Sequence, residues 1–124
     1  MPVQQEPVNL GDLLKYEASH YYSRDTAIVA AGQQLSLGTL VGQENSSGKL
    51  FALDPSKTDG TQNTVGILAA NVDATLADAE ALLIARHAIV SPEALIWPVG
   101  INTNKKNKAI EQLKALGVLI RVAA

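Results

Sequence analysis

His20 and His87 are the only histidines in the chain, and they stand too far apart in sequence to suggest a His-based metal site. Asp73, Asp78 and Glu80 form a small acidic group around a predicted loop, where calcium would find oxygen ligands. The group has neither EF-hand spacing nor a dense Asp-Gly pattern, so these carboxylates read as solvated turn residues. Lys105, Lys106 and Lys108 crowd the predicted start of a helix, the end where the dipole disfavours cations. They read as a solvated face, with contact to an acidic partner surface as the functional alternative. Trp97-Pro98 has the make-up of a ligand-stacking corner, yet a lone Trp beside a short helix in a small domain is more often core. Asn45-Ser46-Ser47 has the form of a glycosylation acceptor, for which a surface turn is sufficient explanation. The chain has no Gly-x-Ser-x-Gly elbow, His-Glu-x-x-His pair or phosphate-cradling Gly-Lys-Ser/Thr loop. No enzyme, cofactor, metal or small-molecule substrate is expected.

Composition narrows the partners further. The absence of Cys excludes a disulfide framework, thiolate zinc sites and thiol catalysis. A net charge of −2, with no basic stripe interleaved with aromatics, gives no nucleic-acid footprint. The opening Met-Pro-Val-Gln-Gln-Glu lacks a cationic stretch followed by an apolar run, and charges interrupt every long apolar stretch. A soluble protein with no export signal and no membrane partner is expected. At 124 residues the chain fits one domain, which buries only about two thirds of its unfolded surface. Hydrophobic residues make up 47% but aromatics only 4%, so the core is built of Ala, Val, Leu and Ile and is thin. A thin core favours subunits that share surface.

The elements that position these residues read as mainly β with one or two helices. Residues 1–24 differ from the rest: Pro2 and Pro7, a short apolar patch, and all three tyrosines, Tyr16, Tyr21 and Tyr22. Within them Gly11 to Tyr16 has room for about one helical turn, which is marginal in water without something to lie on. From Asp25 onward, short apolar runs alternate with Gly, Asn, Asp and Ser clusters, the pattern of a compact β domain over 25–124. Strands are predicted near Thr26 to Ala31, Gly38 to Gln43, Lys49 to Leu53, Thr64 to Ala70, Leu82 to Val90 and Val118 to Val122. Glu44 to Gly48 predicts a hairpin connection, with Gly48 supplying a positive φ. Asp54 to Gly60 is rich in breakers and predicts an exposed loop. Asn104 to Leu116 predicts the main helix, with Ala109, Ile110, Leu113 and Leu116 on one face, Thr103 or Asn104 as cap and Gly117 at its end. Ser91-Pro92-Glu93-Ala94 predicts a short helix before Trp97.

The run Thr64-Val65-Gly66-Ile67-Leu68-Ala69, then Val72-Asp73-Ala74 and Leu95-Ile96-Trp97-Pro98, resembles the phage lambda head decoration protein D family. Gly38-Thr39-Leu40-Val41-Gly42, Gly48-Lys49, Asp59-Gly60 and the ending Ala109-Ile110, Leu113, Gly117 to Val122 agree in order and spacing. The likeness covers residues 22–122, and the leading segment resembles the longer-armed members. Arg86-His87 departs from the pattern, which calls for Arg-Gly or a comparably small residue.

The resemblance implies a β-tulip (β-clip-like) fold and a homotrimer at three-fold sites on the outer surface of an expanded icosahedral capsid. It also implies an N-terminal arm, residues 1–24, that orders against the major capsid protein. In that reading Val3, Val8, Leu10, Leu13, Leu14, Tyr16, Tyr21 and Tyr22 are the capsid-facing anchors, since buried aromatic and aliphatic groups dominate interface energy. The competing reading has the tyrosines cover the edge of the domain's own core. Two other functions are compatible with the composition: a clip-type β module binding a ligand through loops around Asp54 to Asn63, and another virion structural subunit.

Overall fold

Why some apolar runs are nearly continuous becomes clear from a five-stranded barrel in which the strands Leu40–Gln43 and Gly66–Leu68 are buried on both sides over most of their length. The computed structural model describes residues 10–19 and 23–121. These make helix α1 (Leu10–Leu13) and strands β1 (Leu14–Glu17), β2 (Arg24–Val29), β3 (Gln33–Leu35), β4 (Leu40–Gln43) and β5 (Leu50–Ala52). Strands β6 (Gly66–Leu68), β7 (Val72–Ala74), β8 (Ala79–Ile84) and β9 (Ala88–Val90) follow, then a 3-10 turn (Pro92–Ala94), helix α2 (Thr103–Ala115) and β10 (Val118–Ile120). The described chain is thus mainly β, with ten strands in three sheets and two α-helices.

The barrel order is β2-β5-β4-β6-β8. β2 and β8 run antiparallel over six pairs, from Arg24↔Ile84 to Val29↔Ala79. β4 and β5 form the predicted hairpin, with Gln43 opposite Leu50 and Gly48 at φ +71°. Closure rests on one parallel pair, Val29↔Leu50. Gln33 extends the ladder with its side chain: its amide accepts from Ala52 N–H at 3.0 Å and donates to the Leu50 carbonyl at 3.1 Å. A side chain here occupies hydrogen-bonding positions that a neighbouring strand would otherwise fill.

Successive residues of a strand face opposite sides, and along most of β4, β6 and β8 both sides are apolar. Val29, Val41, Leu50, Leu68 and Leu83, one from each barrel strand, share the lumen cluster. Their neighbours Leu40, Ile67 and Ile84 turn outward into a second cluster with Leu13, Val90, Leu113 and Val118. That outer core is covered by α2 and by a three-stranded sheet in the order β1-β9-β10. β9 and β10 are parallel, which requires a crossover, and α2 lies in the connection between them.

The cap of α2 is Asn102, one residue before the nearer of the two expected, Thr103. Asn102 Oδ1 accepts from Lys105 N–H at 2.8 Å, and Gly117 N–H bonds the Lys114 carbonyl at 2.9 Å at the other end. Ala109 and Leu113 are its buried residues, and full burial of a leucine such as Leu113 contributes about 2 kcal/mol. The crowded lysines find local partners: Lys105 Nζ donates to the Pro55 carbonyl at 3.0 Å and Lys106 Nζ lies 4.9 Å from the Trp97 ring centre. The 3-10 turn forms as predicted behind Ser91, although the Ser91 side chain makes no capping bond.

Two expectations are corrected. The single strand predicted from Leu82 to Val90 is two, β8 and β9, separated at His87, whose φ is +51°. This left-handed position explains why Gly would be the unstrained residue there. The turn predicted across Gly11 to Tyr16 stops at Leu13, and Leu14–Glu17 is a strand because β9 offers it a ladder.

Candidate interaction surface

The leading segment joins the domain through three kinds of contact. β1 pairs with β9 on one side only, with Leu14↔Val90, Tyr16↔Ile89 and Glu17↔Ala88, and the register shifts between Leu14 and Tyr16. It is the outer strand of its sheet. A short, irregular edge bearing Lys15 discourages indiscriminate strand pairing. Leu13 sends its side chain into the outer core and accepts from Ser91 N–H at 2.8 Å through its carbonyl. At the far end of β1 the Glu17 carboxylate takes Arg24 in a bidentate pair, both contacts at 2.7 Å, and the Ser23 hydroxyl at 2.7 Å. Glu17 and Arg24 side chains are only 6% and 17% exposed, so water screens the pair little. The hydrogen bond to Glu17, more than its charge, holds the Arg24 guanidinium above its ordinary pKa. This clasp ties the first strand of the small sheet to the first strand of the barrel.

The expected anchors separate accordingly. Val3, Val8, Tyr21 and Tyr22 lie outside the described residues, as does His20. Leu13 is fully buried within the subunit's own outer core. Leu10 and Leu14 are half-buried against the same core. Tyr16 is 61% exposed, so it does not serve as a lid on the domain's own core.

Other surfaces bring together residues that stand apart in the sequence. Between Leu95 and α2 the chain presents Ile96 and a fully exposed Val99, while Trp97 packs in part against the outer core. A cleft of about 480 Å³ lies between this strap and the Leu53 to Ser56 turn, with Lys105 on its rim. A wider opening of about 700 Å³ sits where β2 diverges from the hairpin, lined by Thr26, Gln43, Val65 and Leu82 among others. Leu76, in the loop after β7, is 96% exposed.

The breaker-rich loop is tied internally. Asp54 accepts from Ser56 N–H at 3.1 Å and Oγ at 2.6 Å, and Asp59 from Thr61 N–H at 3.0 Å and Oγ1 at 2.6 Å. Asp73 repeats this with Thr75, and Asp78 bonds Lys49 and Ala31 N–H. Side-chain hydrogen bonds are the main reason these four carboxyls sit below their ordinary pKa. Among the described residues no group of three or more His, Cys, Asp or Glu side chains is arranged to hold a metal ion, and no helix is long and apolar enough to cross a membrane.

What the geometry offers is therefore surface: an exposed Tyr on an outer strand, an apolar strap, and clefts open to solvent. Comparison with known proteins gives this surface a context. No curated protein matches the chain. The family model described as bacteriophage lambda head decoration protein D matches residues 3–118, which takes in both the leading segment and nearly all of the β-rich domain. With that span matched out of 124 residues, the chain belongs to the bacteriophage lambda head decoration protein D family and is a phage head decoration protein of the virion capsid.

Proposed function

We propose that this protein assembles as a homotrimer at three-fold sites on the outer surface of the expanded icosahedral capsid. There it grips the major capsid protein through its leading segment and stabilises the shell against DNA pressure. The observation that carries this reading is the extent of the family match, which starts at residue 3 and so includes the segment as well as the domain. No catalytic step is involved. A molecule that binds the expanded shell better than the unexpanded or ruptured one stabilises it by that difference in affinity.

The anchors in this reading are Val3, Val8, Leu10, Leu13, Leu14, Tyr16, Tyr21 and Tyr22, of which Leu13 is seated in the core of the free subunit. A strand added to an exposed edge of the capsid protein gains main-chain hydrogen bonds worth about 1 kcal/mol each, so a single arm binds weakly, on the order of millimolar. Linking arms in one trimer raises affinity by about two to four orders of magnitude where the geometry allows all to engage. The β-tulip assignment belongs to the same reading, and the mainly β architecture supports it.

Tyr16→Ala tests the reading. Because Tyr16 is 61% exposed, the variant should fold and melt as the parent does while binding purified, empty, expanded shells at least about tenfold more weakly. Saturation of those shells with unchanged affinity would refute Tyr16 as an anchor. Loss of binding by neither Tyr16→Ala nor removal of residues 1–9 would refute the arm mechanism itself.

A further inference from the structure

Two surface features of the subunit differ in charge. Leu76 is 96% exposed at the tip of the loop between β7 and β8. The stretch 73–80 around it contains Asp73, Asp78 and Glu80; Asp78 is paired with Lys49 at 2.7 Å, which leaves Asp73 and Glu80 as its carboxylates without a cationic partner in an ion pair among the described residues. A leucine standing fully in water gains nothing for its own subunit's core. The second feature is the cleft of about 480 Å³ floored by Ala52, Leu53, Pro98 and Ile101, with Val99 at its lip. Its rim carries Lys105, and the stretch 103–108 holds three lysines and no acid. The one carboxylate in the lining, Asp54, is turned onto Ser56 N–H and Oγ. A leucine side chain fits such a cleft with room for its flanking residues.

We propose that Leu76 of one subunit seats in the Leu53–Val99 cleft of the next, with the acidic loop against the lysines at the start of α2. This contact rests on the trimer reading above and names the surfaces that build it. Charge complementarity selects a second copy of this chain as the occupant, because the knob and the cleft carry the matching signs. The two features are different patches, so the contact is head-to-tail, the kind that closes into a ring when the rotation per step permits it. Leu76 does not fill the cleft of its own subunit, since its side chain is fully in solvent.

The test uses the full-length chain, Leu76→Asp and Val99→Asp, followed by native mass spectrometry and sedimentation over one concentration range. Both positions are exposed, Leu76 at 96% and Val99 at 104%, so each variant should keep the parent's circular dichroism spectrum. The parent is expected to be trimeric. Each variant should require a concentration at least about thirtyfold higher to assemble. Mixing the two variants gives the sharper result: Val99→Asp retains the knob and Leu76→Asp retains the cleft. One intact contact remains, and a 1:1 dimer that grows no further is expected. A trimer that persists in either variant overturns the contact, as does a mixture that stays monomeric or a parent that is itself monomeric. A parent trimer dissolved by both substitutions, yet with no affinity for expanded shells, upholds the contact and removes the capsid reading instead.

Discussion

Gly32 and Gly38 share a backbone conformation, with φ at +94° and +93°, but not an environment. A Cβ on Gly32 would meet nothing within 4 Å, whereas one on Gly38 would run into the Ala94 carbonyl oxygen. Gly38 also donates to the Leu68 carbonyl at 2.9 Å and accepts from Ile96 N–H at 2.9 Å, so it joins the barrel to the strap that carries Val99. Alanine at Gly32 bears the positive-φ strain, partly offset by the entropy it removes from the unfolded chain, and costs about 1 kcal/mol. Alanine at Gly38 bears the same strain and must in addition push the 92–94 turn away while straining two hydrogen bonds, for a cost of about 3–5 kcal/mol. For a domain of this size each kcal/mol moves the melting temperature by about 4 °C. Gly38→Ala should therefore melt about 8–16 °C below Gly32→Ala. The assay is thermal unfolding by circular dichroism, with both variants and the parent at one protein concentration because assembly shifts the midpoint. If the two variants melt within about 3 °C of each other, the packing of the strap against Gly38 does not constrain that position.

Leu13→Ala separates two views of the leading segment. Because Leu13 is fully buried, the substitution should destabilise the free protein by about 2–5 kcal/mol in urea titrations, whereas a partner-facing Leu13 would leave that stability unchanged and weaken only shell binding. Asp54, Asp59, Asp73 and Asp78 have folded pKa values below the ordinary carboxylate value. Their stabilisation is fully present above about pH 4 and disappears as pH falls through the lowered folded values, so the urea midpoint should be flat near neutrality and drop in acid. Asp59→Asn combined with Asp73→Asn should make that drop shallower, and an unaltered slope would show that these turns do not couple to acid unfolding.

Local signals were enough wherever the chain's own neighbours decide the structure. The β4–β5 hairpin, α2 and its termination at Gly117 follow from turn residues, period and capping. What depended on distant partners was not visible. Leu14–Glu17 becomes a strand because Ala88–Val90 lies beside it, and no nearby residue announces that. β3 and β7 are three residues each, paired only with one another, and the exposed Asp73 between buried Val72 and Ala74 is too short an alternation to stand out. The apolar run from Leu82 to Val90 contains no Gly or Pro, so its break at His87 carried no ordinary punctuation. Among the anchors, Leu13 and Tyr16 are both large apolar-bodied residues three positions apart. Their opposite fates, one in the core and one in solvent, follow from the change from helix to strand between them.

The place of β9 between β1 and β10 has a consequence for biosynthesis. A ribosome must release the chain through Ile120 before both flanking strands can dock, and pairing across such sequence distances is slow. Until Val90 and Leu113 have emerged, Leu13 has no seat, and the nascent product keeps a greasy, unsatisfied leader. A translation fragment ending before α2 would therefore be a substrate for chaperones and proteases rather than a competitor for places on a phage head.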